Sequence, residues 1–307
     1  MTHERPTVSF EVFPPREAAA EPRVWRTVRH LEAARPDFVS VTYGASGSTR
    51  ERTRALVTRI LRETNLTPIA HLTCVAASRE EIGAVVDEFL DAGVRSFLAL
   101  RGDPPAGDVG WRPHPDGLRT AAELVSLLRR IEARRCARSQ AQAVRATVHR
   151  LAIAVAAFPR GNHGAGSSRE EDLQALLDKQ AAGADFAVTQ VFYEAESYLE
   201  LVGAARRAGV SIPIIPGVVP ATDPDRLLRV QALTGVRVPR ELLDRLGSAE
   251  DPAARHRQGV RATADLVRAV LDGGAPGVHL FTFNRHEAAL DVLDAVGLMP
   301  TGAGSPQ

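Results

Sequence analysis

The residues of this chain that could do acid–base or ion-pairing chemistry gather at one kind of place, the C-terminal ends of short β-rich runs. Glu11 stands inside SFEVFPPR, between Phe10 and Val12, just before two prolines stop the run. Thr42 closes FVSVTYG, His71 lies in PIAHLTC, Arg101-Gly102-Asp103 follow LAL, Gln190 ends FAVTQ and Arg285 follows FTFN. A polar side chain set in a strand costs free energy unless it is paired. Singly, each has an ordinary explanation: an arginine partner for Glu11, a satisfied core imidazole at His71, a cross-strand hydrogen bond for Gln190. Together, at corresponding strand ends, they read as one rim of a site. A carboxyl framed by Phe10, Val12 and Phe13 has its pKa raised by desolvation, as a proton donor near neutral pH requires.

The elements that must position these residues follow from periodicity. Strand candidates fall at 8–13, 38–43, 68–75, 95–100, 151–158, 186–192, 212–218 and 277–283, with amphipathic helical stretches between them. Several helices end in Ala-Gly or Gly-Ala, the pattern of a left-handed C-terminal cap, and Ser78 with Glu81 forms a capping box in sequence. Strand–helix alternation implies parallel pairing with crossovers. Eight such units predict a closed (β/α)8 barrel over 1–300 as one domain, with the chemistry on the rim at the strand C-termini. An open α/β sheet is the weaker alternative, since the glycine-rich fingerprint expected after the first strand of a dinucleotide fold is replaced by FPPREAAAE. Residues 129–150 form an Arg-rich insertion, read as a solvated helical extension. Residues 234–276 hold extra helices before the last strand, and 301–307 are expected to be a disordered tail.

Composition narrows the function classes. The chain has 307 residues with 38 basic and 37 acidic side chains, a net charge of +1, which offers no global attraction to nucleic acid or membrane. Its two cysteines, Cys74 and Cys136, make neither a disulfide framework nor a metal-ligand spacing. Cys74, in HLTCV, reads as a small buried hydrophobe. The N-terminus lacks a signal-peptide core and no apolar run spans a bilayer, so a soluble cytoplasmic protein is expected. Lys179 is the single lysine among the 38 basic residues. Coding bias accounts for most of that pattern, yet one retained compact charge suits a phosphate contact.

The segments SFEVFPPR, FVSVTYGASGSTRERT, PIAHLTC, LALRGDPP, GADFAVTQVFYEAESY, IPIIPGVVP and FTFNR resemble, in order, those of the methylenetetrahydrofolate reductase family. The resemblance spans nearly the whole chain. It implies a (β/α)8 barrel that reduces 5,10-methylenetetrahydrofolate to 5-methyltetrahydrofolate with hydride from NADH or NADPH, ordinarily relayed by FAD, as the methyl supply for methionine synthesis. The regulatory domain of longer members is not expected here. By resemblance Glu11 is the general acid, directly or through a water, and Asp103 the catalytic aspartate that faces the pterin and stabilises its cation; a carboxylate there can accept two hydrogen bonds from an aminopyrimidine edge. Gln190 meets the pterin amide, and Arg285 the benzoyl-glutamate side. Thr42, His71, Arg101, Gly102, Asp172 and Lys179 match positions around the dinucleotide. No metal is implied, and self-association is left open.

The chain departs from the family where flavin is held. FPRGNHGAG stands in place of a Tyr-Pro-x-x-His-Pro-Glu-like run, so Phe158 replaces the tyrosine and Asn162 and Gly164 replace a His and a Glu. Ala175 lacks an amide that some members carry, and Pro224 stands where an aromatic usually stacks. Each lost charge-assisted hydrogen bond costs about 1.5–3 kcal/mol. FAD is therefore expected to bind weakly or not at all, with the nicotinamide passing its hydride directly. Two rival readings are a folate- or flavin-binding barrel without this activity and another flavin oxidoreductase on the same fold. A Schiff-base aldolase is excluded by the lack of a strand-end lysine.

Overall fold

The computed structural model describes residues 5–43, 47–102, 112, 114–137, 150–163 and 166–300. Asp103, Gly164, residues 138–149 of the Arg-rich insertion and the 301–307 tail lie outside the described residues.

Alternation of side chains along β1 (Thr7–Val12) sets the pattern for the whole molecule. Val8, Phe10 and Val12 are fully buried and pack with Val24, Val28 and Leu31 of helix α1 (Glu21–Ala33). The period-2 rule then turns Ser9 and Glu11 to the opposite face. Strands β2 (Phe38–Val41), β3 (Pro68–Thr73), β4 (Ser96–Leu100), β5 (Ala152–Ala157) and β6 (Phe186–Thr189) follow in parallel register. Helices α2 (Gly47–Glu63), α3 (Arg79–Asp91), α4 (Ala121–Ala137) and α5 (Arg169–Ala181) make the crossovers. Phe38, Ile69, Leu98, Ala154 and Ile215 meet inside the ring as a separate apolar cluster. That cluster is the floor of the barrel.

Closure depends on the seventh stave. The expected single strand at 212–218 is two short segments, β7 (Ile214–Ile215) and β8 (Gly217–Val218), on either side of Pro216. Proline brings no N–H to the ladder. The first segment pairs with β6 and the second with β9 (Gly277–Phe281), which also pairs with β1. The order β7-β6-β5-β4-β3-β2-β1-β9-β8 is thus a nine-segment parallel sheet whose two ends are adjacent in the chain. The fold is the expected (β/α)8 barrel.

The remaining helices are α6 (Ala195–Ala208), α7 (Pro224–Thr234), α8 (Arg240–Gly247), α9 (Pro252–Asp272) and α10 (His286–Ala295). The last part of α7, α8 and α9 fill 234–276, and a second core of Val219, Leu227, Val230, Val238 and Leu246 lies beneath α7 and α8. The capping box at Ser78 forms, and the same device recurs unexpectedly at Ser168–Glu171 to start α5. In the Arg-rich segment, residues 129–137 complete α4, and the first of them is not a solvated side chain. Arg129 donates to Gly183 O, Leu151 O and the carboxylates of Glu132 and Asp185, tying α4 to the starts of β5 and β6.

Gly217 marks the tightest contact of the closing stave. A Cβ built there lies 2.2 Å from the Thr189 carbonyl oxygen and 2.7 Å from the Phe281 ring. Backbone cannot yield as a flexible side chain can, so Gly217→Ala is expected to destabilise the barrel by about 1–3 kcal/mol. A urea melt checks this: an unchanged midpoint would mean that the stave is free to move outward.

Candidate functional site

Glu11 is the inward-facing residue one position before the end of β1, with 8% of its surface exposed. Beneath it lies the apolar floor, and its strand partners in register are Ser40 and Phe281. Burial raises the carboxyl to about 8. His71 faces the same interior from β3, and burial lowers its imidazole to about 3. The His71 Nε2 to Glu11 Oε2 distance is 3.6 Å, within ion-pair range if both were charged. Desolvation acts on both in the opposite sense, so at neutral pH the pair is a protonated carboxyl beside a neutral imidazole. His279 of β9, lowered to about 3 first by burial and then by the proximity of His71, meets Ser9 Oγ at 2.9 Å through Nδ1.

The turn after β9 holds the Glu11 backbone. Thr282 donates through Oγ1 to Glu11 O at 2.6 Å. Asn284 accepts from Phe13 N at 2.8 Å and donates to Phe13 O at 2.9 Å, closing a reciprocal pair between the ends of β1 and β9. Phe283 and Asn284 have φ of 50° and 57°, two successive left-handed residues without glycine. Asn tolerates that region and Phe does not, so the turn persists because these hydrogen bonds and the Phe13–Phe283 stack at 5.6 Å over-determine it. Arg285 follows as the residue before α10, 62% exposed at its side chain and 3.8 Å from Asp223 Oδ2. Asp223 caps α7 and also meets Arg226 at 3.2 Å. Arg226 is buried against the Phe283 ring, and its guanidinium is held below its usual range by desolvation and by Arg285.

Across the ring, Arg101 and Gly102 follow β4. Gly102 has φ +82°, and a Cβ there would sit 2.4 Å from Val75 Cγ2, so only glycine lets the backbone turn at this place. Lys179 of α5 points inward, buried, donating through Nζ to Ala156 O at 2.9 Å and lying 5.7 Å from the Phe158 ring centre. Burial lowers it to about 8 against the pull of Asp172. Asp172 accepts from Asn162 N at 2.8 Å and Ser167 Oγ at 2.6 Å, fastening the loop between β5 and α5. Thr42 joins β2 to β1 through its N–H to Val12 O at 3.0 Å, while its own carbonyl accepts from Thr53. Gln190 follows β6 directly, its Oε1 accepting from Val191 N at 2.8 Å.

Glu11, Thr42, His71, Arg101, Gly102, Gln190 and Arg285 therefore all lie on the C-terminal side of the strands, with Lys179 and Asp172 reaching it from α5; Asp103 is outside the described residues. The sequence places Asn284 beside Arg285 at a strand end without giving it a role, and it does not single out Arg226 or His279. His279 carried a visible signal, a His at the same strand parity as Phe281. Arg226 had no signal, because only packing buries it. Among the described residues no group of three His, Cys, Asp or Glu is arranged to hold a metal. For a dinucleotide, Arg101 and the remaining Lys179 donors fit phosphate, whereas both Asp172 oxygens already serve the loop that carries Asn162.

The molecule is a parallel eight-stave barrel with a buried carboxyl and a buried imidazole under its C-terminal rim, the rim that carries the active site in enzymes of this fold. The family model for methylenetetrahydrofolate reductase matches residues 1–297, and the chain belongs to that family. It is 34% identical over 297 residues to 5,10-methylenetetrahydrofolate reductase of Pectobacterium carotovorum subsp. carotovorum, covering 96% of this chain and 92% of that one. It is 29% identical over 305 residues to methylenetetrahydrofolate reductase (NADH) 1 of Zea mays, covering 96% of this chain and 49% of the longer relative. Among solved structures, an uncharacterized protein from Clostridium thermocellum that binds two copies of 5-methyl-5,6,7,8-tetrahydrofolic acid shares the fold. Its TM-score is 0.59 at 13% identity, over 96% of this chain and 94% of that one.

The Glu11 shift has a consequence for stability. Its carboxyl titrates near 4.5 when unfolded and near 8 when folded, so the native state binds the extra proton between those values. The stability it contributes is complete below about pH 4.5 and is lost as pH rises toward 8. His71 and His279, which titrate near 6.5 when unfolded, and Lys179, near 8 when folded, add slopes of their own in this range, but they are common to both proteins and cancel in the difference from Glu11→Gln. Between pH 6.5 and 8 the wild type should therefore lose up to about 1.4 kcal/mol per pH unit relative to Glu11→Gln. Parallel urea titrations of the two proteins check this; equal slopes would place the Glu11 carboxylate in water.

Proposed function

We propose that this chain reduces 5,10-methylenetetrahydrofolate to 5-methyltetrahydrofolate with hydride from NADH or NADPH, as an NAD(P)H-dependent oxidoreductase that supplies the methyl group for methionine synthesis. One observation carries the reading beyond family membership: at the end of β1 a buried carboxyl, raised to about 8 by desolvation, faces the barrel interior beside the His71 imidazole. The methylene carbon of the substrate is locked between N5 and N10. Protonation of N10 opens the ring and leaves an N5 iminium cation able to accept hydride. Glu11 is the acid of that step, and its buried position keeps the proton in place until substrate arrives. Asp103 accepts from the pterin edge and stabilises the cation, Gln190 holds the pterin amide, and Arg285 meets the carboxylates of the tail.

Thr42, Arg101, Gly102, Asp172 and Lys179 form the dinucleotide surface, with His71 beneath it. The nicotinamide supplies the hydride. Arg101 and Lys179 provide charge for its phosphates, and Gly102 lets the backbone turn tightly against Val75 behind Arg101. FAD is proposed to bind weakly or not at all: Phe158, Asn162, Gly164 and Ala175 remove contacts of the flavin-binding members, and Asp172 is engaged by Asn162 N and Ser167 Oγ. The protein is proposed to act in the cytoplasm on a small-molecule folate, without nucleic acid or membrane; no described helix is long and apolar enough to cross a membrane.

The test is an absorbance spectrum of purified protein followed by NADH oxidation with methylenetetrahydrofolate. The expected result is turnover without a flavin band and without added FAD. Stoichiometric FAD, or strict dependence on it, would restore the relay, and folate binding without NADH oxidation would favour a non-catalytic barrel. Glu11→Gln should lower turnover by about two to four decades while changing folate binding little. Lys179→Met, which loses a charged donor, should raise the KM for NADH by about 10- to 100-fold. An unchanged KM would leave Lys179 a purely internal contact.

A further inference from the structure

We infer that His71 is the positioning residue of the acid: its Nε2–H donates to Glu11 Oε2 and leaves Oε1 to carry the proton to the mouth of the barrel. The inference rests on the reading that Glu11 is the proton donor. His71 Nε2 is buried with no hydrogen-bond partner, and it lies 3.6 Å from Glu11 Oε2. A buried donor left unpaired costs about as much as a lost hydrogen bond, so such a group calls for an explanation. Catalytic hydrogen bonds are commonly long in the ligand-free site and tighten when substrate binds. A shift of a few tenths of an ångström, drawn by the negative charge whenever Glu11 ionises with or without substrate, brings this one into range.

The groups facing the pair come from four strands. His279 from β9 is neutral and engaged with Ser9 of β1; Ser40 from β2 and Thr73 from β3 offer hydroxyls without partners. Arg101 bears on Lys179, and burial is what shifts Glu11 and His71. Among the described residues the only ion-pairing group beside Glu11 is His71, which is neutral, so the Glu11 carboxylate would form there without a paired cation. When Glu11 protonates substrate N10, the Oε1–H bond breaks and the new N10–H bond forms. The electron pair of the methylene–N10 bond goes to N10, and the negative charge stays on Glu11. A neutral imidazole N–H aimed at Oε2 stabilises that charge without becoming charged itself. It makes Glu11 a better acid, and it fixes which oxygen carries the proton.

His71→Leu removes the donor and His71→Gln replaces it with an amide N–H of similar reach. With Leu, kcat should fall by about tenfold, KM for folate should hold, and the alkaline limb of the pH–rate profile should rise by about one pH unit. Gln should return kcat to within about threefold of wild type. In the ligand-free protein, the Glu11-dependent loss of stability that ends near pH 8 should extend to higher pH with Leu and not with Gln; this readout needs no turnover. A purely structural His71 would lower the melting temperature and leave both pH profiles in place. Unshifted profiles in a folded Leu variant, or a Gln variant as impaired as Leu, would overturn the inference. Wild-type turnover by Glu11→Gln would instead overturn the acid reading and leave the ligand-free result standing.

Discussion

The constraint on which the molecule turns is the burial of one carboxyl. Glu11 sits above a floor of Phe38, Ile69, Leu98, Ala154 and Ile215, and that floor exists only because the parallel ladder closes on itself. In an open sheet the same strand face would need helices over it to stay dry, and wherever it was wet Glu11 would ionise near its ordinary value. Closure costs regularity at the seventh stave, where Pro216 interrupts the ladder and Gly217 brings the backbone against Thr189. The raised carboxyl at the mouth is thus a property of barrel closure as much as of the glutamate.

Around that carboxyl the rim divides into two halves with different electrostatics. On the β4–β6 side, Arg101 and Lys179 gather positive charge, with Asp172 turned inward to hold the loop that Asn162 occupies. On the β9 side, Asp223 is shared between Arg226 and Arg285 beside the strained Phe283–Asn284 turn. A phosphate-bearing cosubstrate suits the first half, and a carboxylate-bearing tail suits the second. The strained turn is bolted to the Glu11 carbonyl by Thr282, so Glu11 and Arg285 are joined through one short hydrogen-bonded segment.

Much of this was legible in the chain. The alternation that turns Glu11 away from Phe10 and Val12 is a local property, and so are the capping box at Ser78 and the glycine turns that end the helices. The strand ends were set too long, at 75 for β3 and 192 for β6, because apolar residues continue past the last paired residue into the second core, as Val191 does. The split at Pro216 was written in IPIIPGV, but hydrophobicity masked the missing N–H. Asp172 was placed by resemblance at the dinucleotide, and its hydrogen bonds to Asn162 N and Ser167 Oγ became visible only with the loop folded.

What the sequence by itself determined is therefore the set of elements, their parallel order and the rim on which the chemistry stands, since these depend on period, caps and turn residues within a few positions of each other. Only the tertiary structure decided the protonation states and pairings. Glu11 and His71 are sixty residues apart and meet at 3.6 Å across the barrel interior, both neutral through shared burial. Arg226, unremarkable on a helix in the sequence, is buried beneath Phe283. Desolvation and long-range contact are sums over neighbours that the chain order does not list, and folding is what brings those neighbours together.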